Sequence, residues 1–156
     1  MIDVFVSRPN WIPSGIDKHL PEFYQCLTDY GFNPKTIGQN IVPISSPFDE
    51  VVDLMNKCKC TIVLGMPQIF IHEGNIKKEA VPKNAMLPTE WNQIEASISI
   101  MLKKPTLMLL HKTVIARGVF ERGAANVFVH VFDSSYAGWS TTITPNLEAL
   151  RERVNA

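Results

Sequence analysis

The chain has 156 residues, 46% of them hydrophobic, which is enough for one domain with a sizeable core and a squeeze for two. Fifteen basic side chains balance fifteen acidic ones, so no global field favours nucleic acid or an anionic membrane surface, and any anion must be held locally. No apolar run approaches the roughly 18 residues that a bilayer span requires.

The opening run Asp3-Val4-Phe5-Val6-Ser7, stopped by Arg8-Pro9, reads as a buried strand and has none of the features of a signal peptide. From about Asp17 to Tyr30 the residues Leu20, Phe23, Leu27 and Tyr30 recur at spacings of three and four, which predicts a helix ended by Gly31. Asn33 to Ile37 is a weaker second strand, followed by a loop rich in Gly, Asn and Pro. Ser46-Pro47 then supplies a cap and a first-turn proline. Asp49 and Glu50 suit the positive end of that helix, and Val51, Leu54, Met55 and Cys58 form its buried stripe.

Cys60 to Gly65 is a near-continuous apolar run, as a strand covered on both faces requires. The three cysteines, Cys26, Cys58 and Cys60, are an odd number without a second metal-binding pair. They read as buried free thiols in a reducing, cytoplasmic compartment. Pro67 to Pro88 is too long for a default strand-to-helix connection and is either a lid or an insertion. Thr89 caps a helix running to about Lys104, and Pro105 to Leu110 is another buried strand. Thr113 to Ala125 is helical in part. The strand Val127 to Phe132 and a helix from about Pro145 to Val154 complete the chain.

Strand and helix alternate five times, which predicts a single domain over residues 1–156 of flavodoxin-like class: a three-layer α/β/α fold on a five-stranded parallel sheet. Ligands in such sheets bind beyond the carboxyl ends of the strands, here Ser7-Arg8-Pro9, Gly65-Met66-Pro67 and His111-Lys112.

On the helix that Thr89 opens, Ile94, Ile98, Met101 and Leu102 predict the buried stripe. At about 100° per residue Glu95 lies roughly 40° round from Trp91, at the border of that stripe. Periodicity alone leaves two readings open. Either Glu95 is a boundary glutamate with Trp91 in the core, or it is a carboxylate that a ligand reaches, its pKa raised by burial against the opposing helix dipole.

Two motifs add to this. Asp3-Val4-Phe5-Val6-Ser7-Arg8 resembles the first-strand motif of TIR (Toll/interleukin receptor) domains, and Thr89-Glu90-Trp91-Asn92-Gln93-Ile94-Glu95 resembles their later motif, a tryptophan four positions before a glutamate on a helix. The chain departs from the family at Asn92, where a cysteine often follows the tryptophan, in the loop after Gly38, and in the length of Pro67 to Pro88. The resemblance implies an enzyme, of bacterial stand-alone type, that takes NAD as its substrate and cleaves the nicotinamide-ribose bond. Its products would be nicotinamide and a linear or cyclised ADP-ribose.

By the same resemblance Glu95 is the catalytic residue, assembly is homo-oligomeric through TIR-TIR contacts, and a separate effector or sensor protein acts with it in antiviral defence. No cofactor, nucleic-acid or membrane partner is expected. Ser7, Arg8 and Pro9 stand at the mouth of the first strand, and Trp91 offers an aromatic wall for nicotinamide or ribose. Arg117 and Arg122, among the glycines of Arg117-Gly118-Val119-Phe120-Glu121-Arg122-Gly123, offer forks for pyrophosphate, or else pair with Glu121. Trp11, His72 and His111 are further pocket candidates. Four scattered histidines have no metal-ligand spacing, and there is neither a phosphate-binding loop of the Gly-rich lysine type nor a Gly-x-Gly-x-x-Gly run.

Two other readings share this fold class. One is glycosyl transfer like that of nucleoside 2-deoxyribosyltransferases, with the sugar trapped on the carboxylate. The other is a non-catalytic TIR module that self-associates or senses a nucleotide.

Overall fold

The computed structural model describes residues 1–125 and 127–156. Five strands, β1 (Ile2–Ser7), β2 (Phe32–Lys35), β3 (Cys60–Gly65), β8 (Thr106–His111) and β9 (Val129–Phe132), form one all-parallel sheet in the order β2-β1-β3-β8-β9. Counted within the sheet this is the flavodoxin-like order, so the fold is of the expected class. Side-chain alternation divides the core between the two faces. Val4 and Val6 point to the face covered by α2 (Pro21–Asp29), α5 (Thr144–Asn155) and the short 3-10 turn Trp139–Ile143. Phe5 points to the face covered by α3 (Pro47–Lys57) and α4 (Glu90–Met101). All six residues of β3 are buried, as its unbroken apolar run requires.

Several element bounds differ from the sequence reading for local reasons. A separate turn, α1 (Ser14–Asp17), precedes α2, and α2 starts at Pro21, whose ring is accommodated only in a first turn. β2 spans Phe32–Lys35 instead of ending at Ile37. Between Thr113 and Ala125 only Gly118–Phe120 is helical, as a 3-10 turn. β9 begins at Val129; Asn126, beside the expected start of that strand, lies outside the described residues.

The stretch from Pro67 to Pro88 is an arm of two small antiparallel ladders, β4 (Ile69–Ile71) with β7 (Ala85–Leu87) and β5 (Asn75–Ile76) with β6 (Glu79–Ala80). Cys26, Cys58 and Cys60 are free and buried, and burial pushes the Cys58 thiol up to about 11 and the Cys60 thiol up to about 12. Such thiols stay protonated and unreactive at neutral pH. Among the described residues no helix is long and apolar enough to cross a membrane.

The expected stripe of α4 holds in part: Ile98 and Leu102 pack, partly buried, against the cluster of Phe5, Val51 and Met55, but the fully buried face of the helix is a different one. Its buried residues are Asn92, Ala96 and Ser99, whereas Met101 is 80% exposed and Trp91 40% exposed. Val63, Met108 and Leu110 stand up from the sheet beneath, so small side chains on the helix permit the close approach. The polar atoms among them are largely accounted for: Ser99 Oγ shares a hydrogen bond of 2.8 Å with Thr106 Oγ1.

Candidate active site

Glu95 stands on α4 over the carboxyl end of β1. Ser7 alternates with Phe5 and so faces α4, and its hydroxyl donates to Glu95 Oε2. Asn92 Nδ2 donates to Ser7 Oγ at 2.9 Å, which makes a chain from amide to hydroxyl to carboxylate. Asn92 and Glu95 are three apart on one helix and therefore neighbours on its surface. Thr89 holds the start of that helix, its hydroxyl accepting from the Asn92 backbone N–H at 3.2 Å.

Burial raises the Glu95 carboxyl to about 7, with the Ser7 hydrogen bond acting against the rise. The dominant cause is desolvation, which disfavours the charged form. A carboxyl with this value is divided between its two protonation states at neutral pH, the usual condition of a working acid or base.

The Glu95 side chain lines a cleft of about 410 Å³. One wall is Trp91, whose ring lies 5.4 Å from that of Phe48 at 49°. The loop after Gly38 contributes Pro43, and α3 contributes Pro47 and Val51. Arg8, Pro9, Asn10 and Gln68 also line the cleft. Arg8 is the only cationic side chain among the described lining residues. Its guanidinium is fixed by hydrogen bonds to Pro9 O at 2.9 Å and Tyr24 Oη at 3.1 Å, and it sits 5.9 Å from the Tyr24 ring centroid. The size and apolar walls suit a small-molecule ligand held by a few polar groups.

Of the residues expected at the site, Ser7, Arg8, Pro9, Trp91 and Glu95 are brought together here. The others are not among the cleft's lining residues. His111 alternates with Leu110 and so points through the sheet to the α2 and α5 face. There it is 1% exposed and packs edge-on against Phe132 at 5.5 Å, with burial holding it neutral. Its Nδ1 shares a 2.8 Å hydrogen bond with Thr113 Oγ1.

Arg117 lies against the far side of α4, and neither it nor Arg122 is among the residues lining the cleft. Gln93, opposite Trp91 on the helix, donates to Arg117 O at 3.0 Å and accepts from Val119 N–H at 2.9 Å. Gly118 permits that contact, since it has φ +58° and a Cβ there would lie 2.4 Å from Gln93 Oε1. Trp11 is 67% exposed and offers its carbonyl to Gln68 Nε2 at 2.8 Å. His72 packs edge-on against Phe70 in the arm, with ring centroids 4.6 Å apart. Sequence reasoning missed Asn10, Gln68 and Asn92; only Asn92 carried a signal, its three-residue spacing from Glu95.

No protein-family model matches the chain, and no curated protein sequence matches it. Among solved structures the chain is similar to a CMP N-glycosidase from Clostridium botulinum, BcmB. The TM-score is 0.55 at 15% sequence identity, covering 94% of this chain and 98% of that one. Likeness at that level of identity is likeness of fold, and it spans the whole α/β/α arrangement.

Proposed function

We propose that this chain cleaves the N-glycosidic bond of a nucleotide, with Glu95 as the catalytic carboxylate. The observation that carries this reading is the half-buried Glu95, tied to Ser7 and through it to Asn92 at the carboxyl end of a central strand, as the only carboxylate among the described residues lining the cleft. In the reaction the bond between C1′ and the base nitrogen breaks and its electron pair leaves with the base. Water then supplies the oxygen at C1′ and releases a proton. Ionised Glu95 stabilises the positive charge that grows on the sugar, a role strengthened where water is excluded.

Within this class the preferred substrate is NAD, as in the TIR enzymes that the Trp91 and Glu95 motif resembles. Its nicotinamide is already cationic and departs neutral, so a site with one carboxylate and no separate acid suffices. A nucleoside 5′-monophosphate is the second reading. It is favoured by the single cation of the cleft, Arg8, which matches one phosphate, and by the fold shared with a CMP N-glycosidase.

The test is release of free base, followed by chromatography, from NAD and from the four ribonucleoside 5′-monophosphates with wild-type protein and Glu95→Gln. Release by the wild type that falls by two orders of magnitude or more in the variant is the expected result; equal release by both would remove Glu95 from the chemistry. Arg8→Gln is expected to raise KM about tenfold with kcat nearly unchanged, the signature of lost uniform binding, because on this reading Arg8 meets the phosphate and not the reacting carbon. A steady-state series on the better substrate checks this.

A further inference from the structure

Gln68 lines the cleft just past the carboxyl end of β3, at the root of the arm, and both its backbone and its side chain are tied down there. Its backbone N–H donates to Leu87 O at 3.0 Å. Its side-chain Nε2 donates to Trp11 O and to Pro67 O, both at 2.8 Å. The two carbonyls take both N–H bonds of the amide and fix which end is nitrogen, so the hydrogen-bonding capacity left to this side chain is that of an acceptor. Gln68 is half-buried, and its Oε1, without a donor among the described residues, is not closed off from solvent as Asn92 Oδ1 is.

The other polar side chains of the cleft are committed differently. Arg8 can only donate, Asn10 Oδ1 already accepts from Gln39 Nε2 at 3.2 Å, and Thr89 Oγ1 accepts from the Asn92 backbone N–H at 3.2 Å. Glu95, when ionised, is the strongest acceptor and on the glycosidase reading belongs to the sugar. Phosphate oxygens are repelled by an acceptor and go to Arg8. What remains for Gln68 is the base.

We infer that Gln68 Oε1 accepts a hydrogen bond from an amino N–H of the leaving base, so that the site selects bases carrying an amino or carboxamide nitrogen over those with a carbonyl or carboxylate oxygen in its place. The inference rests on the reading of the cleft as a glycosidase site and narrows its leaving group: nicotinamide, cytosine or adenine in preference to nicotinate, uracil or hypoxanthine. A base that turns a carbonyl or carboxylate oxygen to Gln68 sets acceptor against acceptor. The amide cannot turn over to offer its nitrogen without giving up both carbonyl partners. That fixed orientation is the source of discrimination, since an untethered glutamine would rotate to suit either base. Sites built to hydrogen-bond a group on the substrate reject analogues that lack it.

The experiment uses pairs that differ at this group: NAD and nicotinic acid adenine dinucleotide, CMP and UMP, AMP and IMP. Dissociation constants are measured by calorimetry in a Glu95→Gln background, with Gln68 and with Gln68→Met. Base release is followed with Glu95 intact. Because the two leaving groups of a pair differ in intrinsic reactivity, the ratio of binding constants and its change on substitution decide the question.

The amino member of at least one pair is expected to bind about tenfold or more tightly, the scale of one hydrogen bond. Gln68→Met, of similar length, is expected to bring that pair within about threefold through weaker binding of the amino member. Gln68→Ala is the second variant should methionine pack poorly, and it is expected to behave alike. Equal constants within every pair that binds, or a preference that survives both variants, would overturn the inference. Glu95-dependent release without any preference for the amino member defeats this inference and leaves the glycosidase reading intact. Selective binding with no release from any substrate sinks the glycosidase reading and keeps the recognition of the amino group; failure of every substrate both to bind and to release its base defeats both.

Discussion

Protein carrying Glu95→Gln is expected to lose at least about 100-fold in base release while melting at a higher temperature than wild type above pH 7. The activity loss follows from removing the charge that opposes the developing sugar cation. The stability gain follows from the burial of that charge. The folded-state pKa of Glu95, about 7, lies above its ordinary value of 4.5, so between those values the folded state binds more protons than the unfolded one.

The favourable contribution of a neutral, half-buried Glu95 is therefore complete below about pH 4.5 and is lost as pH rises through about 7. At pH 8 the wild type carries an ionised carboxylate in a poorly hydrated place, at a cost on the order of 3 kcal/mol, which glutamine avoids. For a chain of this size that is several degrees of melting temperature. Thermal denaturation at pH 4.5 and pH 8 checks it: the variant should gain at pH 8 and not at pH 4.5. An equal shift at both values would mean that the carboxylate is not held at a desolvation cost.

The same titration should appear in the wild-type kinetics. If the ionised form works, kcat/KM rises about tenfold per pH unit below about 7 and levels off above it. A profile flat from pH 5 to pH 9 would contradict that assignment. Glutamine thus separates two roles of one side chain, since a purely structural glutamate would show the stability change without the loss of turnover.

Much of the fold was legible because the strands were long apolar runs, and β3 above all could only be a strand covered on both faces. The helix that matters most was legible in place but not in orientation. Periodicity assigned Ile94, Ile98, Met101 and Leu102 to the core; Ile98 and Leu102 do pack, partly buried, against the Phe5 cluster, yet the face against the sheet is Asn92, Ala96 and Ser99. Hydrophobic counting fails there because large side chains already rise from the strands and leave room only for small ones. It fails also because a polar site is built into the contact. Glu95 was placed correctly as a border residue, but beside a stripe on the other side of the helix.

The basic and glycine-rich segment from Arg117 to Gly123 shows another limit. Composition there suggested phosphate binding, whereas the glycine at 118 answers a steric demand from Gln93. The arm from Pro67 to Pro88 was legible only as excess length, since strands of two or three residues are too short for alternation to register. Asn92, noted in the sequence only as a departure from the TIR pattern, is buried beside the cleft and hydrogen-bonded to Ser7.

Trp139→Ala is expected to cost about 3 to 5 kcal/mol, the usual range for removing a buried aromatic side chain, and to lower the melting temperature by roughly 10 °C. Trp139 is fully buried, stacked on Phe132 at 5.1 Å and on Phe23 at 6.3 Å, and its indole N–H donates to His19 O at 2.7 Å. It therefore joins the last third of the chain to β9 and α2. The turn that delivers it depends on Gly138, in the left-handed region at φ +83°, whose N–H is held by the Glu22 carboxylate at 2.7 Å.

Alanine at 139 leaves a cavity and removes the shorter of the two hydrogen bonds to the His19 carbonyl, the other coming from the Glu22 N–H at 3.3 Å. Phenylalanine keeps most of the packing and loses only the hydrogen bond, so it is expected to cost about 1 to 2 kcal/mol. Chemical denaturation of both variants checks the difference. A cost for alanine no larger than that for phenylalanine would show that the site collapses around the missing ring. Because Trp139 lies on the face of the sheet opposite Glu95, turnover measured well below the melting point should be preserved in both variants. This loss of stability without loss of chemistry is the inverse of what Glu95→Gln is expected to produce.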